Sequence, residues 1–427
     1  MAETLRSIDR GSEPAITSVA RHGLGLVRSA LALPMASYYV VVGAAGLLIA
    51  LGVMMVLSSS SVFAYVHYGD AYYFVKRQTL FLLVGLLLAF VLSRLTIAKL
   101  RVLGWAGVAL AFVLLILTYT SLGVDIAGNQ NWLDLGTSML RIQPSEFAKL
   151  AIVVWGADVL ARKEKLLDQP KHLVWPYLPV TGMLILLVVF EGDLGTAIVM
   201  CGMVVGVLFI VGVPLRIFGA VLALAAVMVT VLVKSSPNRM KRLAAFLNPD
   251  TEILSTNMQS MMGIYAIASG GWWGVGLGAS RQKWGSLSQS YSDFIFAVTA
   301  EELGLFGSLV VLALFLVLGY AGVRIALRSD NPFCRYAAAG VTSWFMFQAV
   351  VNIAVVLRFM PVMGVPLPLM SYGGSALLAN LMALGVLLAC ARNEPAARAV
   401  TARRNAKRRP KVTTVTASSR KLPASRR

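Results

Sequence analysis

Apolar stretches recur along the whole chain, each near or beyond the roughly 20 residues that a helix needs to cross the hydrocarbon core, and charged or Gly/Pro-containing breaks separate them. They predict ten spanning helices, near Tyr38–Leu57, Phe74–Leu92, Val102–Ser121, Pro144–Leu160, Trp175–Glu191, Leu194–Val213, Leu215–Val233, Phe294–Leu327, Arg335–Leu357 and Ser375–Ala391. The fold class is therefore an all-α polytopic membrane protein. Three parts follow: a tail over 1–37, one ten-helix domain over 38–391, and a second tail over 392–427. The first run starts too late, and continues too long before any small-residue cleavage site, for a removed signal peptide, so it is expected to stay as an anchor. Composition agrees, with 58% hydrophobic and 13% charged residues and a mean hydropathy of +0.76, against roughly 45–50% and about 25% in soluble domains.

Lys and Arg collect in alternate connections: "RLTIAKLR" from Arg94, "RKEKLLDQPK" from Arg162, Arg216, and then Arg324, Arg328 and Arg335. By the positive-inside rule these connections, and both termini, are cytoplasmic. A net charge of +19 raises the question of nucleic acid, but the tail from Arg392 alone holds twelve Lys/Arg against one acid, Glu394. Its Ser/Thr/Pro content predicts disorder. Attraction to anionic membrane lipid, about 1 kcal/mol per basic residue near the surface, accounts for that arm, and without interleaved aromatic residues it offers no base-stacking surface. Cys201, Cys334 and Cys390 lie in or beside apolar segments and suggest no disulfide framework. His22, His67 and His172 are far apart and none adjoins a cysteine, so no zinc spacing is present. A magnesium-type ion on one or two carboxylates together with substrate phosphates stays open.

The segment 235–293 falls on the outer side and far exceeds the usual connection of about 4–6 residues. Its Met258, Met261, Met262, Ile264, Tyr265, Trp272, Trp273 and Trp284 do not suit a solvated linker, so partly buried or re-entrant pieces are expected. "GGWWGVGLG" at Gly270–Gly278 lacks the GxGxxG spacing and any βαβ context. A tight turn anchored by interfacial tryptophans accounts for it better than a phosphate cradle. Arg239, Lys241 and Arg242 in "PNRMKRLAAFLNP" suit either lipid headgroups or a cationic rim for a pyrophosphate-bearing lipid.

Acids stand out against this background. Asp293 precedes an apolar run and Glu301 and Glu302 follow it, in "YSDFIFAVTAEELG". Asp293 suits a catalytic carboxylate at the outer surface, or simply a favourable charge at a helix N-terminus worth about 0.3–1 kcal/mol. Glu301, eight residues on, lies roughly 12 Å away along a helix, too far for a close carboxylate pair, and with Glu302 is expected to cap or pair within the bundle. Glu146 and Lys149 share a helix face at i, i+3, as a structural or a catalytic ion pair. "GVPLPLMSYGGS" (Gly364–Ser375) breaks the helical pattern, which is tolerated only where protein or a watery cavity covers it.

Four motifs in order resemble the SEDS family of shape, elongation, division and sporulation proteins: "RIQPSEFAKL" from Arg141, "GGWWGVGLGASRQKWG" from Gly270, "SDFIFAVTAEELG" from Ser292 and "MPVMGVPLPLMSYGGSALL" from Met360. The resemblance runs from about Tyr38 to Pro395. Within the family, "SSSSVFAY" (Ser58–Tyr65), the pair Lys76–Arg77 and "ARNEPAA" (Ala391–Ala397) are closest to division members of high-GC Gram-positive bacteria, with elongation members next. The resemblance implies a peptidoglycan glycosyltransferase that polymerises lipid II at the outer face of the cytoplasmic membrane, at the division septum. It implies a class B penicillin-binding transpeptidase and other division proteins as partners, and a divalent cation, Mg or Mn, as an aid. It carries the essential acid onto Asp293, the Glu and Lys of its "SE..K" motif onto Glu146 and Lys149, and an outer-loop tryptophan onto Trp132. One departure is the missing Leu-Pro-Glu-like turn before the acidic motif, where this chain reads "SLSQSYSD".

Joining sugars from an α-linked lipid donor into a β-linked product inverts the anomeric carbon, hence a single displacement with a base on the acceptor. Asp293 is the candidate base. Lys283, Arg242, Lys76 or a metal are candidates for stabilising the leaving pyrophosphate, and Ser371 or Ser375 for touching substrate if the broken segment does more than shape the cavity. Two other classes compete: a lipid II flippase, which internal charges and broken helices also suit, and a non-catalytic scaffold for the transpeptidase.

Overall fold

The computed structural model describes residues 33–126, 129–134, 136, 141–166, 169, 174–234, 237–247, 258–284 and 287–400. The tail up to residue 32 and the basic arm from 401, with the disorder expected there, lie outside the described residues.

Ten long helices fall on the ten expected segments: α1 (Ala36–Tyr68), α2 (Tyr73–Arg94), α3 (Ile97–Leu117), α4 (Pro144–Arg162), α5 (Tyr177–Phe190), α6 (Leu194–Val211), α7 (Leu215–Lys234), α10 (Ile295–Arg328), α11 (Pro332–Val356) and α12 (Gly374–Arg392). Two shorter helices, α8 (Pro237–Leu247) and α9 (Met258–Gly270), lie in the long connection, and a hairpin of β1 (Gly123–Ile126) and β2 (Asn129–Leu133) follows α3. Among the described residues seven of the helices are long and apolar enough to cross a membrane, and α5 and the apolar part of α7 are shorter. The remaining one, α4, is less apolar because Glu146, Lys149 and Asp158 sit within it, all buried.

Helix ends follow local chemistry. Pro144 and Pro332 open α4 and α11 at the first turn, where a missing N–H removes nothing from the helix. Asp193 caps α6 by accepting the Thr196 N–H at 2.9 Å. The first helix runs well past the expected Leu57, through "SSSSVFAY", to a left-handed Gly69. Serine is tolerated there because its hydroxyls bond within the bundle: Ser59 donates to Met55 O at 2.7 Å and Ser58 to Glu302 Oε1 at 2.6 Å.

Packing centres on α4, α11 and α12. Every residue of α4 from Ala148 to Leu160 is buried, the mark of a helix surrounded by others. By contrast α2 and α3 bury one narrow face each, leaving Leu83, Leu87, Val102 and Val113 exposed to the surroundings.

The long connection packs against α10, as its composition led one to expect. Its glycine-rich stretch has a role that neither a phosphate cradle nor a bare turn describes. Gly304 interrupts α10 with φ 70° and ψ −166°, and the freed backbone pairs with the stretch: Val275 N–H donates to Glu301 O at 3.0 Å, Gly276 N–H to Glu302 O at 3.1 Å, and Leu305 N–H to Gly271 O at 2.9 Å. Gly274 lies so close that a Cβ there would stand 2.2 Å from Glu302 O. Close backbone approach is what demands glycine here.

Candidate active site

Five segments meet on one side of the bundle: the β-hairpin, the α5–α6 turn, α8, the loop before α10, and the broken segment between α11 and α12. Asp293 lies in the loop Leu287–Phe294. That loop is clamped from the broken segment and α11: Asn352 Nδ2 donates to Asp293 O at 2.8 Å and to Val365 O at 2.7 Å, Ser371 Oγ donates to Ser292 O at 2.7 Å, and Tyr372 N–H to Tyr291 O at 3.0 Å. The Asp293 main chain is thus fixed while its carboxylate is left over. No hydrogen bond among the described residues engages that carboxylate, and Oδ2 faces Gly364, where a Cβ would stand 3.6 Å away.

Its surroundings set its basicity. Burial pushes the half-buried Asp293 carboxyl up to about 6, the negative charge of Asp193 adds to the rise, and the positive charge of Arg242 on α8 opposes it. Asp193 itself is buried and held by Asn131 Nδ2 at 3.2 Å and Gln143 Nε2 at 2.8 Å on Oδ2, besides its helix cap. One turn residue away, Arg239 on α8 donates to Gly192 O at 3.2 Å, which draws the cationic helix over the turn. Glu191 accepts from the Thr118 hydroxyl at 2.6 Å, and burial, reinforced by Asp193, raises its carboxyl to about 8.

The other expected residues divide by position. Glu146 and Lys149 form a fully buried pair at 2.8 Å, with Lys149 also bonded to Gln348 Oε1 at 3.0 Å and placed 5.0 Å over the Trp344 ring. Gln348 in turn holds Pro366 O at 2.8 Å, so the pair braces the broken segment behind Asp293. Lys283 is buried at 3.4 Å from Glu302 Oε1 and 2.7 Å from Gly278 O, and there it ties the glycine-rich connection to α10. Glu301 receives the Arg281 N–H at 2.9 Å and the Ser280 hydroxyl. The Ser371 hydroxyl is occupied by backbone on both sides, accepting from Leu367 N–H at 2.8 Å. Trp132 is half-buried on β2 opposite Val124, and Lys76 is exposed and paired with Asp70 at 2.8 Å. Of the candidate cations, Arg242 is the one whose charge is felt at Asp293.

Asn352, Gln348 and Asp193 were not singled out by sequence reasoning. Asp193 carried a usable signal, an acid in "EGDLG" between two apolar runs. An amide inside an apolar helix, as at Asn352 and Gln348, is a weaker one.

The described residues hold no group of three or more His, Cys, Asp or Glu placed to bind a metal ion. A single free carboxylate at Asp293 fits the mode in which a hard divalent ion is shared with substrate phosphates.

Comparison with known proteins agrees with this architecture. The cell cycle protein family of FtsW, RodA and SpoVE matches residues 38–395, and the chain belongs to it. A probable peptidoglycan glycosyltransferase FtsW of Mycobacterium tuberculosis is 37% identical over 366 residues, covering 85% of this chain and 69% of its own. Stage V sporulation protein E of Bacillus subtilis is 36% identical over 345 residues, covering 80% of this chain and 93% of that protein. Among solved structures, a chain of a peptidoglycan synthase complex that coordinates polymerization and crosslinking superposes with a TM-score of 0.67 at 29% identity, covering 83% of this chain and 97% of that one. The rod shape determining protein RodA of Thermus thermophilus gives 0.60 at 28% identity, covering 83% and 96%. The chain is accordingly a multi-pass membrane protein of the SEDS type.

Proposed function

We propose that this protein is a peptidoglycan glycosyltransferase of the division type, which polymerises lipid II at the outer face of the cytoplasmic membrane with Asp293 as its base. The observation that carries the reading is a free carboxylate raised to about 6, clamped by its main chain beside a cationic helix at the end of a membrane bundle. A base with that affinity for protons is ionised at neutral pH and still accepts a proton readily.

In the reaction the acceptor sugar's 4-hydroxyl attacks the anomeric carbon of the lipid-linked strand, and the bond to the pyrophosphate breaks with inversion. The hydroxyl proton passes to Asp293. The leaving undecaprenyl pyrophosphate gains negative charge, and Arg242, with Arg239 beside it, supplies fixed positive charge on that side. A divalent cation, where bound, would be held by Asp293 and substrate phosphates and would add Lewis-acid charge. Asn352, Ser371, Gln348 and the Glu146–Lys149 pair hold the frame.

The basic connections support an orientation with both termini cytoplasmic and the Asp293 side outside. A penicillin-binding transpeptidase is the expected partner, since the similar synthase complex joins polymerization to crosslinking, and septal placement follows from the division type.

The test is reconstitution of the full chain with its cognate transpeptidase in vesicles that carry lipid II in the leaflet facing Asp293. Glycan strands formed without any prior crossing support the transferase reading. Transfer of fluorescent lipid II between leaflets without polymer would instead establish a flippase, and neither activity a scaffold.

A further inference from the structure

The first helix is longer than a bilayer requires. Its 33 residues span about 50 Å, whereas about 20 residues cross the hydrocarbon. The last turns, past the expected Leu57, pack on the loop of Asp293 through Phe63 and Tyr291. They carry aromatic rings that continue into the start of α2 and pack on one another. Tyr68 and Tyr73 stack with centroids 4.1 Å apart at 3°, Phe63 lies 5.8 Å from Tyr291, and Phe74 lies 4.6 Å from Tyr291 and 5.0 Å from Tyr372.

This row is joined to the loop of the proposed base. Tyr291 stands two residues before Asp293, and its backbone carbonyl is held by Tyr372 N–H at 3.0 Å. Its ring is half-buried and packs on Phe63, Phe74 and Tyr372. Tyr68 is 53% exposed. A belt of interfacial aromatics would be spread around the bundle at headgroup depth. Here the rings gather on one side, against Tyr291 in the loop of Asp293.

Pyranose rings present an apolar C–H face that packs on an aromatic ring while their rims hydrogen-bond to hydroxyls such as those of tyrosine. We propose that Tyr68, Tyr73 and Tyr291 form a saccharide-stacking subsite beside Asp293 that holds the N-acetylhexosamine backbone of the glycan strand. This rests on the glycosyltransferase reading and adds where the sugar chain lies. The contact is non-covalent, and ring faces carry it more than hydroxyls do.

The experiment uses the full chain with its cognate transpeptidase and, as probe, a lipid-free tetrasaccharide of alternating N-acetylglucosamine and N-acetylmuramic acid, followed by saturation-transfer NMR. Wild type is expected to bind it, the doubly substituted Tyr68→Ala, Tyr73→Ala protein to bind about fivefold or more weakly, the size of two lost ring contacts, and Tyr68→Phe to bind as wild type. Melting temperatures measured alongside must agree between the proteins, and Tyr68→Ala alone gives a milder variant if the double one is unstable. Equal binding by all forms, or no binding by wild type, overturns the subsite. Polymerisation of lipid II is scored separately, so an inactive wild type that still binds the tetrasaccharide through these rings would overturn the transferase reading and leave the stacking site standing.

Discussion

Glu191 and Asp193 each accept at least one hydrogen bond, whereas Asp293, half-buried and feeling the charges of Asp193 and Arg242, carries none on its carboxylate among the described residues. Its carboxyl, raised to about 6, must be ionised to act, so the rate of polymerisation is expected to fall as pH drops through about 6 and to level off above it. A pH–rate profile with excess lipid II reads this directly. Removing Arg242 removes the charge that opposes the rise, and Arg242→Ala should move the inflection to higher pH. Glu191 gives a stability signature. Its folded carboxyl, raised to about 8, binds a proton more tightly than in the unfolded chain, so its contribution is full below the ordinary carboxylate range and is lost as pH rises toward 8. The melting temperature of the detergent-solubilised protein should therefore decline between pH 5 and 8, roughly the window set by those two values, and Glu191→Gln should flatten the decline. Asn352 acts through the backbone. Asn352→Leu leaves the carbonyls of Asp293 and Val365 without a donor, a loss of about 1–3 kcal/mol for each buried group left unpaired, and should lower the turnover rate while leaving the pH inflection in place.

At the scale of elements, the brace behind the site is the buried Glu146–Lys149–Gln348 chain that joins α4 and α11 to the broken segment. Breaking one partner of such a pair costs about 3–5 kcal/mol because the other charge stays buried alone. Lys149→Met should therefore destabilise more than the combined Glu146→Gln, Lys149→Met protein, as denaturation in detergent would show. Gly304 is the second sensitive point. A Cβ there would stand 2.3 Å from Gly274 N on a backbone with φ 70°, so Gly304→Ala should detach the glycine-rich stretch from α10 and lower the melting temperature. The ten long helices were legible because period and length leave little choice for apolar runs near 20 residues. The i, i+3 spacing of Glu146 and Lys149 was legible for the same reason, being a property of one helix. Lys283 shows the limit: its charge near the motif suggested pyrophosphate, and only the three-dimensional meeting with Glu302 and Ser58 shows it inside the protein. The α1 extension was missed because four serines read as a break, while in the bundle the hydroxyls of Ser58, Ser59 and Ser61 find acceptors.

Across the whole molecule, a buried α4–α11–α12 centre supports a polar site at one end while α2 and α3 keep apolar faces toward the surroundings. A membrane-anchored lipid substrate can then stay in the bilayer while its sugar headgroup reaches Asp293. What joins these features is the assignment of a single carboxylate as base. The decisive measurement is single-turnover polymerisation of lipid II by the complex with the cognate transpeptidase, comparing wild type with Asp293→Asn at equal folding and equal partner binding. The substitution keeps size and removes proton affinity, so the rate should fall by about 10²–10⁴, the range for loss of a general base. Strand formation by Asp293→Asn at the wild-type rate would contradict the account.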